Sequence, residues 1–263
     1  PAARLMLLAV DVGNSHTVLG AFDGDELVQH WRIASRIDYT PDELWVVLRG
    51  LFEASGVQLG EVTSMIVSSV VPSVDPAIVA MATAHLGVTP VVIGPGIRTG
   101  MQLRVDNPRE VGADRIVNSV AAFNKYGGPV VVIDFGTATT FDAIDANGDY
   151  LGGAIAPGIR ISMDALFSRT SKLPRIELAV PKGIEGAIGK NTVEHMQIGF
   201  VYGFAGQIEG IVGRMREELG GTCRVVATGG LAQLIAEHAP VIEVVDEQLT
   251  LDGLRRLHDL NTR

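Results

Sequence analysis

Two short segments of this chain carry the residue types needed to hold a phosphorylated ligand, and they repeat one pattern. Val10-Asp11-Val12-Gly13-Asn14-Ser15-His16-Thr17 closes an apolar run over residues 5–10, and Ile133-Asp134-Phe135-Gly136-Thr137-Ala138-Thr139-Thr140 closes another over 130–133. Each reads as a buried strand that ends in a carboxylate and enters a glycine turn rich in hydroxyl or amide groups. A carboxylate in that place suits a hydrated magnesium ion bridging to nucleotide phosphates. Gly13 lets the backbone approach, and Asn14 and Ser15 can donate to phosphate oxygens. One copy alone is equally well an ordinary strand-to-strand turn. Two copies, each followed by a second strand and a tight hairpin (Asp23-Gly24 and Asn147-Gly148), suggest equivalent hairpins facing across a cleft. The chemistry that fits is phosphoryl transfer.

Transfer to an alcohol also needs a base beside the attacking hydroxyl. Asp114, in Gly112-Ala113-Asp114-Arg115, is the best candidate, with Arg115 beside it to neutralise a phosphate or a substrate carboxylate. The bland reading of Asp114 is an acid favoured by a helix dipole. Thr228-Gly229-Gly230 joins a strand to a helix, where backbone commonly meets ligand, and is equally a plain tight turn. Thr139 and Thr140 point to opposite faces of their strand, so at most one lines a cleft.

The elements that must position these residues come in two similar sets. Strands are expected over 5–10, 17–22 and 27–34, then a helix over 42–54 opened by Thr40-Pro41-Asp42-Glu43, a strand over 64–71, a helix opened by Pro76 and a short strand over 90–93. A helix starting at Pro108 leads to strands over 130–133, 139–144 and 150–155, then helix, strand over 224–227, helix, and strand over 241–245. Three strands followed by alternating helices and strands, given twice, predict an α/β protein of two similar lobes. The division is expected at 1–115 and 116–263. A long helix over 192–219, opened by Asn191 with Glu194 as a capping box, carries Gly199, Gly203, Gly206, Gly210 and Gly213 at spacings of 4, 3, 4 and 3. Glycine inside a helix costs about 1 kcal/mol each against alanine. Tight packing within a lobe is one compensation, and a helix pair across a dimer interface is another.

Bulk properties narrow the class. The chain has 263 residues, 47% hydrophobic and 19% charged, as a compact folded protein does. A net charge of −9 without a basic stripe speaks against a nucleic-acid partner. The uncharged stretch over 196–208 falls short of a membrane span, and Asp11 interrupts the first apolar run too early for a signal-peptide core, so a cytoplasmic protein is expected. The single cysteine, Cys223, reads as a buried small hydrophobe. Gly189-Lys190-Asn191-Thr192 imitates the end of a phosphate-binding loop but has isoleucine at 184 in place of the first glycine, and no zinc-ligand spacing is present.

Assembled, these segments resemble the type III pantothenate kinases, of the superfamily that unites acetate and sugar kinases with actin and chaperone ATPases. The resemblance runs from Leu7 to about Leu257. It is carried by Asp11–Ser15, the stretch Asp106-Asn107-Pro108-Arg109-Glu110-Val111-Gly112-Ala113-Asp114-Arg115-Ile116-Val117-Asn118, Asp134–Thr140, Gly152–Gly158 and Gly189–Thr192. It departs from the family at Ser15, where threonine is commoner, and at Val105, where an aromatic is. The resemblance implies ribonuclease-H-like lobes with a nucleotide cleft between them and ATP-dependent phosphorylation of pantothenate, the first step of coenzyme A synthesis. It implies Asp114 as base, substrate contacts from Gly112, Ala113, Asp114, Arg115 and Thr192, and ATP contacts from Asp11, Val12, Gly13, Asn14, Ser15, His16, Thr17, Val18, Thr137 and Gly229. It further implies magnesium held through water at Asp11, a monovalent cation (potassium or ammonium) at Asp134, and a homodimer. A kinase for another small alcohol or sugar, or a non-catalytic nucleotide-binding regulator, are the alternatives on the same fold.

Overall fold

The computed structural model describes residues 5–181 and 186–262, so the isoleucine that breaks the phosphate-loop pattern lies outside the described residues. The chain forms two compact units. The first contains β1 (Met6–Val12), β2 (His16–Asp23), β3 (Glu26–Ala34), α1 (Pro41–Ser55), β4 (Val62–Ser69), α2 (Asp75–Met81), β5 (Val91–Val92) and the opening turns of α3 (Ala113–Tyr126). The second contains the rest of α3, β6 (Val130–Phe135), β7 (Ala138–Ile144), β8 (Tyr150–Pro157), α4 (Ile159–Ser168), α5 (Thr192–Glu218), β9 (Arg224–Gly229), α6 (Ala232–Ala236) and β10 (Val244–Val245). The last helix, α7 (Leu249–Thr262), belongs to the first unit.

Both sheets have the same topology. The first runs β3-β2-β1-β4-β5 and the second, read in the same sense, β8-β7-β6-β9-β10. In each, a three-strand antiparallel meander supplies one side and two parallel strands the other. Asp11 is the penultimate residue of β1 and Asp134 the penultimate residue of β6. The doubled sequence pattern thus marks the same place in two equivalent sheets.

Strand alternation decides which way each carboxylate points. In β1, Leu8, Val10 and Val12 join the core made with Leu48 and Phe52 of α1 and Ile78 of α2. Leu7, Ala9 and Asp11 therefore share the opposite face, against which α7 lies. A Cβ on Gly20 of β2 would stand 2.9 Å from Leu251, so glycine there lets α7 close on the sheet. In β6, Val131, Ile133 and Phe135 join the core with Ile208 and Val212 of α5, while Val130 and Val132 share the face of Asp134.

Several expectations need correction. The division falls within α3 rather than at 115/116, and α7 returns to the first unit, where Thr250 Oγ1 donates to Asn118 Oδ1 at 2.7 Å. An amphipathic helix at the chain's end carries no local sign of which sheet it will cover. Pro108 opens only a 3₁₀ turn, Pro108–Glu110, capped by Asn107, and the helix proper starts at Ala113. The second hairpin is not tight: five residues separate β7 from β8. Asp145 Oδ1 organises them by accepting from Asn147 N at 2.8 Å and Asp149 N at 2.9 Å.

The glycine-striped helix also differs from one of its two readings. Gly199, Gly203 and Gly206 are exposed, on the side of α5 away from Val201, Ala205 and Ile208. A Cβ at any of those three would meet nothing within 4 Å. Tight packing inside the lobe is therefore not what the glycines serve. The capping box is half formed: Asn191 Oδ1 accepts from Glu194 N at 3.0 Å, but the Glu194 carboxylate reaches Lys190 N instead of the cap residue.

Candidate active site

In the first unit, Asp11 lies in a row of side chains that crosses the sheet. The register pairs it with Val18 on β2 and Ser68 on β4, and pairs Val18 in turn with Arg32 on β3. Burial raises the Asp11 carboxyl most, the negative charge of Asp114 adds to this, and the Ser68 hydroxyl and Arg32 pull it back, leaving it at about 7. Asp114, in the first turn of α3, is thus close enough to Asp11 to disfavour its ionisation. Its own carboxyl is raised by burial and pulled back in part by the Arg115 N–H and guanidinium. Asp114 Oδ1 accepts from Arg115 N at 2.8 Å, and a Cβ on Gly112 would stand 2.5 Å from that same oxygen. Glycine at 112 leaves room for the Asp114 carboxylate to fold back against its own backbone.

The turn after β1 is shaped by backbone. Gly13 N donates to His16 O at 3.0 Å, and a Cβ on Gly13 would crowd that carbonyl. Asn14, Ser15 and His16 are exposed at the tip. Val12 is buried in the core, and Thr17, its pair in the ladder, faces the same side. The Val12 carbonyl already accepts from Val70 N at 3.0 Å, and the side chain of Thr17 points away from the Asp11 face. Ser35, just past β3, braces the turn from behind. Its Oγ donates to Gly13 O at 2.6 Å and lies 2.9 Å from Thr17 Oγ1, and its N–H donates to Ser15 O at 3.0 Å.

In the second unit, Asp134 has the corresponding row: Thr140 on β7 and Thr228 on β9. Both carboxylates therefore have a buried hydroxyl on the parallel neighbour, Ser68 in one sheet and Thr228 in the other. Gly229 follows Thr228 with φ +93°, and a Cβ there would stand 2.7 Å from Asp134 Oδ1 and from the Phe135 backbone. Gly136 N donates to Ala138 O at 3.0 Å, closing a turn that presents Thr137, whose carbonyl is covered by Gly158. Thr139 is fully buried and Thr140 half-buried, so Thr140 is the one on the Asp134 face.

Thr192 is the first residue of α5 and lines a groove of about 650 Å³ with His195, Gly199, Phe200 and Gly203. The groove follows the glycine stripe. Cys223 is buried, as a small hydrophobe would be.

Sequence reasoning missed Ser35, Ser68 and Arg32. None of the three carried a signal in its own segment, since Ser68 and Arg32 come beside Asp11 through strand pairing and Ser35 reaches Gly13 from the end of β3. Among the described residues no three His, Cys, Asp or Glu side chains converge as a metal cage, and no helix is long and apolar enough to cross a membrane. An ion bound by one or two carboxylates and otherwise by water and phosphate needs no such cage, and it would relieve the repulsion between Asp11 and Asp114.

Comparison with known proteins agrees with this geometry. The family model for type III pantothenate kinase matches residues 7–214. A type III pantothenate kinase from Moorella thermoacetica is 56% identical over 98% of this chain and 100% of its own, and one from Myxococcus xanthus is 52% identical over 97% and 99%. Among solved structures, component A of (R)-2-hydroxyglutaryl-CoA dehydratase from Acidaminococcus fermentans superposes with a TM-score of 0.55 at 13% identity, covering 95% of both chains. The inorganic polyphosphate/ATP-glucomannokinase of Arthrobacter sp. strain KM gives 0.51 at 14% identity, covering 97% of this chain and 98% of that one. At those identities the structures speak for the fold alone. By its sequence over nearly its whole length, the chain belongs to the type III pantothenate kinase family.

Proposed function

We propose that this chain transfers the γ-phosphoryl group of ATP to the terminal hydroxyl of pantothenate, with Asp114 as general base, giving 4′-phosphopantothenate and ADP. Family membership supports the reaction, and the observation that carries the residue assignment is the pairing of Asp114 with Asp11. Asp114 takes the proton of the attacking hydroxyl. The new O–P bond forms as the bond from the γ-phosphorus to the bridging oxygen breaks, and ADP leaves with that oxygen. A base with a raised pKa is well matched to this task near neutral pH.

Asp11 would hold a hydrated magnesium ion on the ATP phosphates, where such an ion would offset the charge that develops on them. Asn14 to His16 present N–H and side-chain donors to those phosphates, Gly13 lets the backbone come close to them, and Val12, Thr17 and Val18 frame the ATP site from β1 and β2. Thr137 and Gly229 contact ATP from the second unit, and Asp134 is a ligand for a monovalent cation. Two features support that last role: an acid at the end of β6 and a glycine at 229 that leaves its oxygen uncrowded. Gly112, Ala113 and Arg115 position pantothenate, with Arg115 beside its carboxylate, and Thr192 supplies a further contact.

The exposed glycine face of α5 supports a homodimer in which that face packs against a second copy. A reaction that draws on ATP belongs in the cytoplasm. Pantothenate-dependent ADP release, measured with and without potassium, tests the proposal directly. ADP release that ignores pantothenate but responds to another alcohol would reassign the substrate.

A further inference from the structure

The first unit contains a second cavity, on the face of its sheet opposite Asp11. It lies between the strands and α1, with Leu8, Leu19, Ile33, Val47 and Leu48 among its walls. Its free space open to a water's centre is about 40 Å³, against the roughly 10–15 Å³ that one water needs. Water is poorly served there. Thr17 is the one polar wall residue on the strands, and its hydroxyl already meets Ser35. An apolar void of this size stays dry and forfeits dispersion contacts until something apolar fills it.

Its charged lining is a single cation. Arg36 and Tyr39, from the segment joining β3 to α1, line the cavity, with the guanidinium 5.0 Å from the centre of the Tyr39 ring. Arg36 has acidic neighbours in Glu43, whose carboxyl is lowered first by the Thr40 hydrogen bonds and in smaller part by Arg36, and in Asp38 at 3.5 Å, with both side chains of that last pair largely in solvent. Such a pair adds little and yields readily to a better-placed carboxylate. An apolar chamber with one guanidinium in its lining calls for a ligand with a short hydrocarbon body and one negative end.

We infer that this cavity is a binding site for a short aliphatic monocarboxylate, with the chain between the sheet and α1 and the carboxylate on Arg36. The cavity shares only Thr17 with the residues proposed to meet ATP, and its occupancy does not depend on the kinase reaction. Filling the void stabilises the folded chain by mass action.

The test uses the full chain with hexanoate as probe and hexan-1-ol as the uncharged control, with binding read by calorimetry and stability by thermal melting. Hexanoate is expected to bind saturably and to raise the melting temperature. Arg36→Gln should weaken hexanoate about tenfold, the loss of one charge-assisted contact, and leave hexan-1-ol unchanged. Val47→Phe, which fills the chamber from α1, should abolish binding of both. Failure of hexanoate to bind at millimolar concentration overturns the site, as does undiminished binding to a folded Val47→Phe. If Val47→Phe does not fold, the Arg36→Gln comparison decides alone: equal weakening of acid and alcohol, or of neither, overturns the assignment. None of these readouts involves kinase activity.

Discussion

Asp114 raises the pKa of Asp11 across the gap between the start of α3 and the end of β1, so an ionised Asp114 disfavours the charged form of Asp11. A pair of this kind titrates jointly, and each group's behaviour depends on the other's charge. Replacing Asp114 by Asn removes both the base and the repulsion. The expected result is a fall in kcat of about 10²–10⁴-fold, the range typical of general base catalysis, with ATP affinity nearly kept. In the same variant the Asp11 carboxyl should titrate below its present value of about 7, as carbon-detected NMR would record. Unchanged turnover would remove Asp114 from the mechanism.

Asp11 itself should cost the fold stability at neutral pH. In the unfolded chain its carboxyl loses its proton near 3.8, and in the folded chain only at about 7. Between those values the folded state binds more protons, so stability declines as pH rises through this window and the whole penalty is present above it. Asp11→Asn should therefore be more stable than the parent above pH 7, by up to about 4 kcal/mol, and nearly equal to it at pH 4. Urea denaturation at pH 4 and pH 8 measures the difference. Loss of activity accompanying that gain is the expected trade if Asp11 holds the magnesium ion proposed for it.

Ser35 holds the Gly13–Thr17 turn by contacts to Gly13, Ser15 and Thr17. Ser35→Ala keeps the backbone bond to Ser15 and removes both hydroxyl contacts. With each neutral hydrogen bond worth about 0.5–1.5 kcal/mol net, the KM for ATP should rise about 3–30-fold while kcat changes far less. An equal fall in kcat with unchanged KM would place Ser35 in the chemical step instead.

The parts legible in sequence were those written locally. Alternation and turn residues gave the strands of both meanders, and Thr40-Pro41-Asp42-Glu43 gave α1 with its complete capping box. The repeated Asp-x-Gly pattern gave equivalent ends of equivalent strands. What stayed hidden depends on contacts between distant segments. Ser68 approaches Asp11 only because β4 lies parallel to β1, and Ser35 reaches Gly13 only because β3 returns beside β2. α7 joins the first unit because Gly20 and Gly253 let it approach β2 and α3. The α5 glycines repeat with a clear period, but a period alone does not say whether the partner surface lies in the same chain.

Gly229 combines φ +93° with a place 2.7 Å from Asp134 Oδ1. Alanine there must adopt a left-handed backbone and push against Asp134 and the Phe135 backbone. Gly229→Ala should destabilise the chain by about 1–3 kcal/mol and, if Asp134 binds a monovalent cation, raise the potassium concentration for half-activation. Melting and a potassium titration read the two effects separately. A destabilised variant with an unaltered potassium response would leave Asp134 without a cation role.

Gly203 separates the two surfaces on which α5 could act. Its Cβ position is open within the chain, so alanine should stabilise an isolated protomer by about 1 kcal/mol, the ordinary gain of alanine over glycine in a helix. A large charged side chain at the same place has room in the protomer but none between two closely packed helices. Gly203→Arg should therefore melt no lower than the parent as a monomer and, if α5 joins two copies as proposed, sediment as a monomer where the parent sediments as a dimer. Because the Thr192 groove runs along this face, the variant should also raise the KM for pantothenate while leaving ATP binding intact. A Gly203→Arg protein that remains dimeric would show that α5 is not the surface that joins the copies, and the five glycines would need another cause.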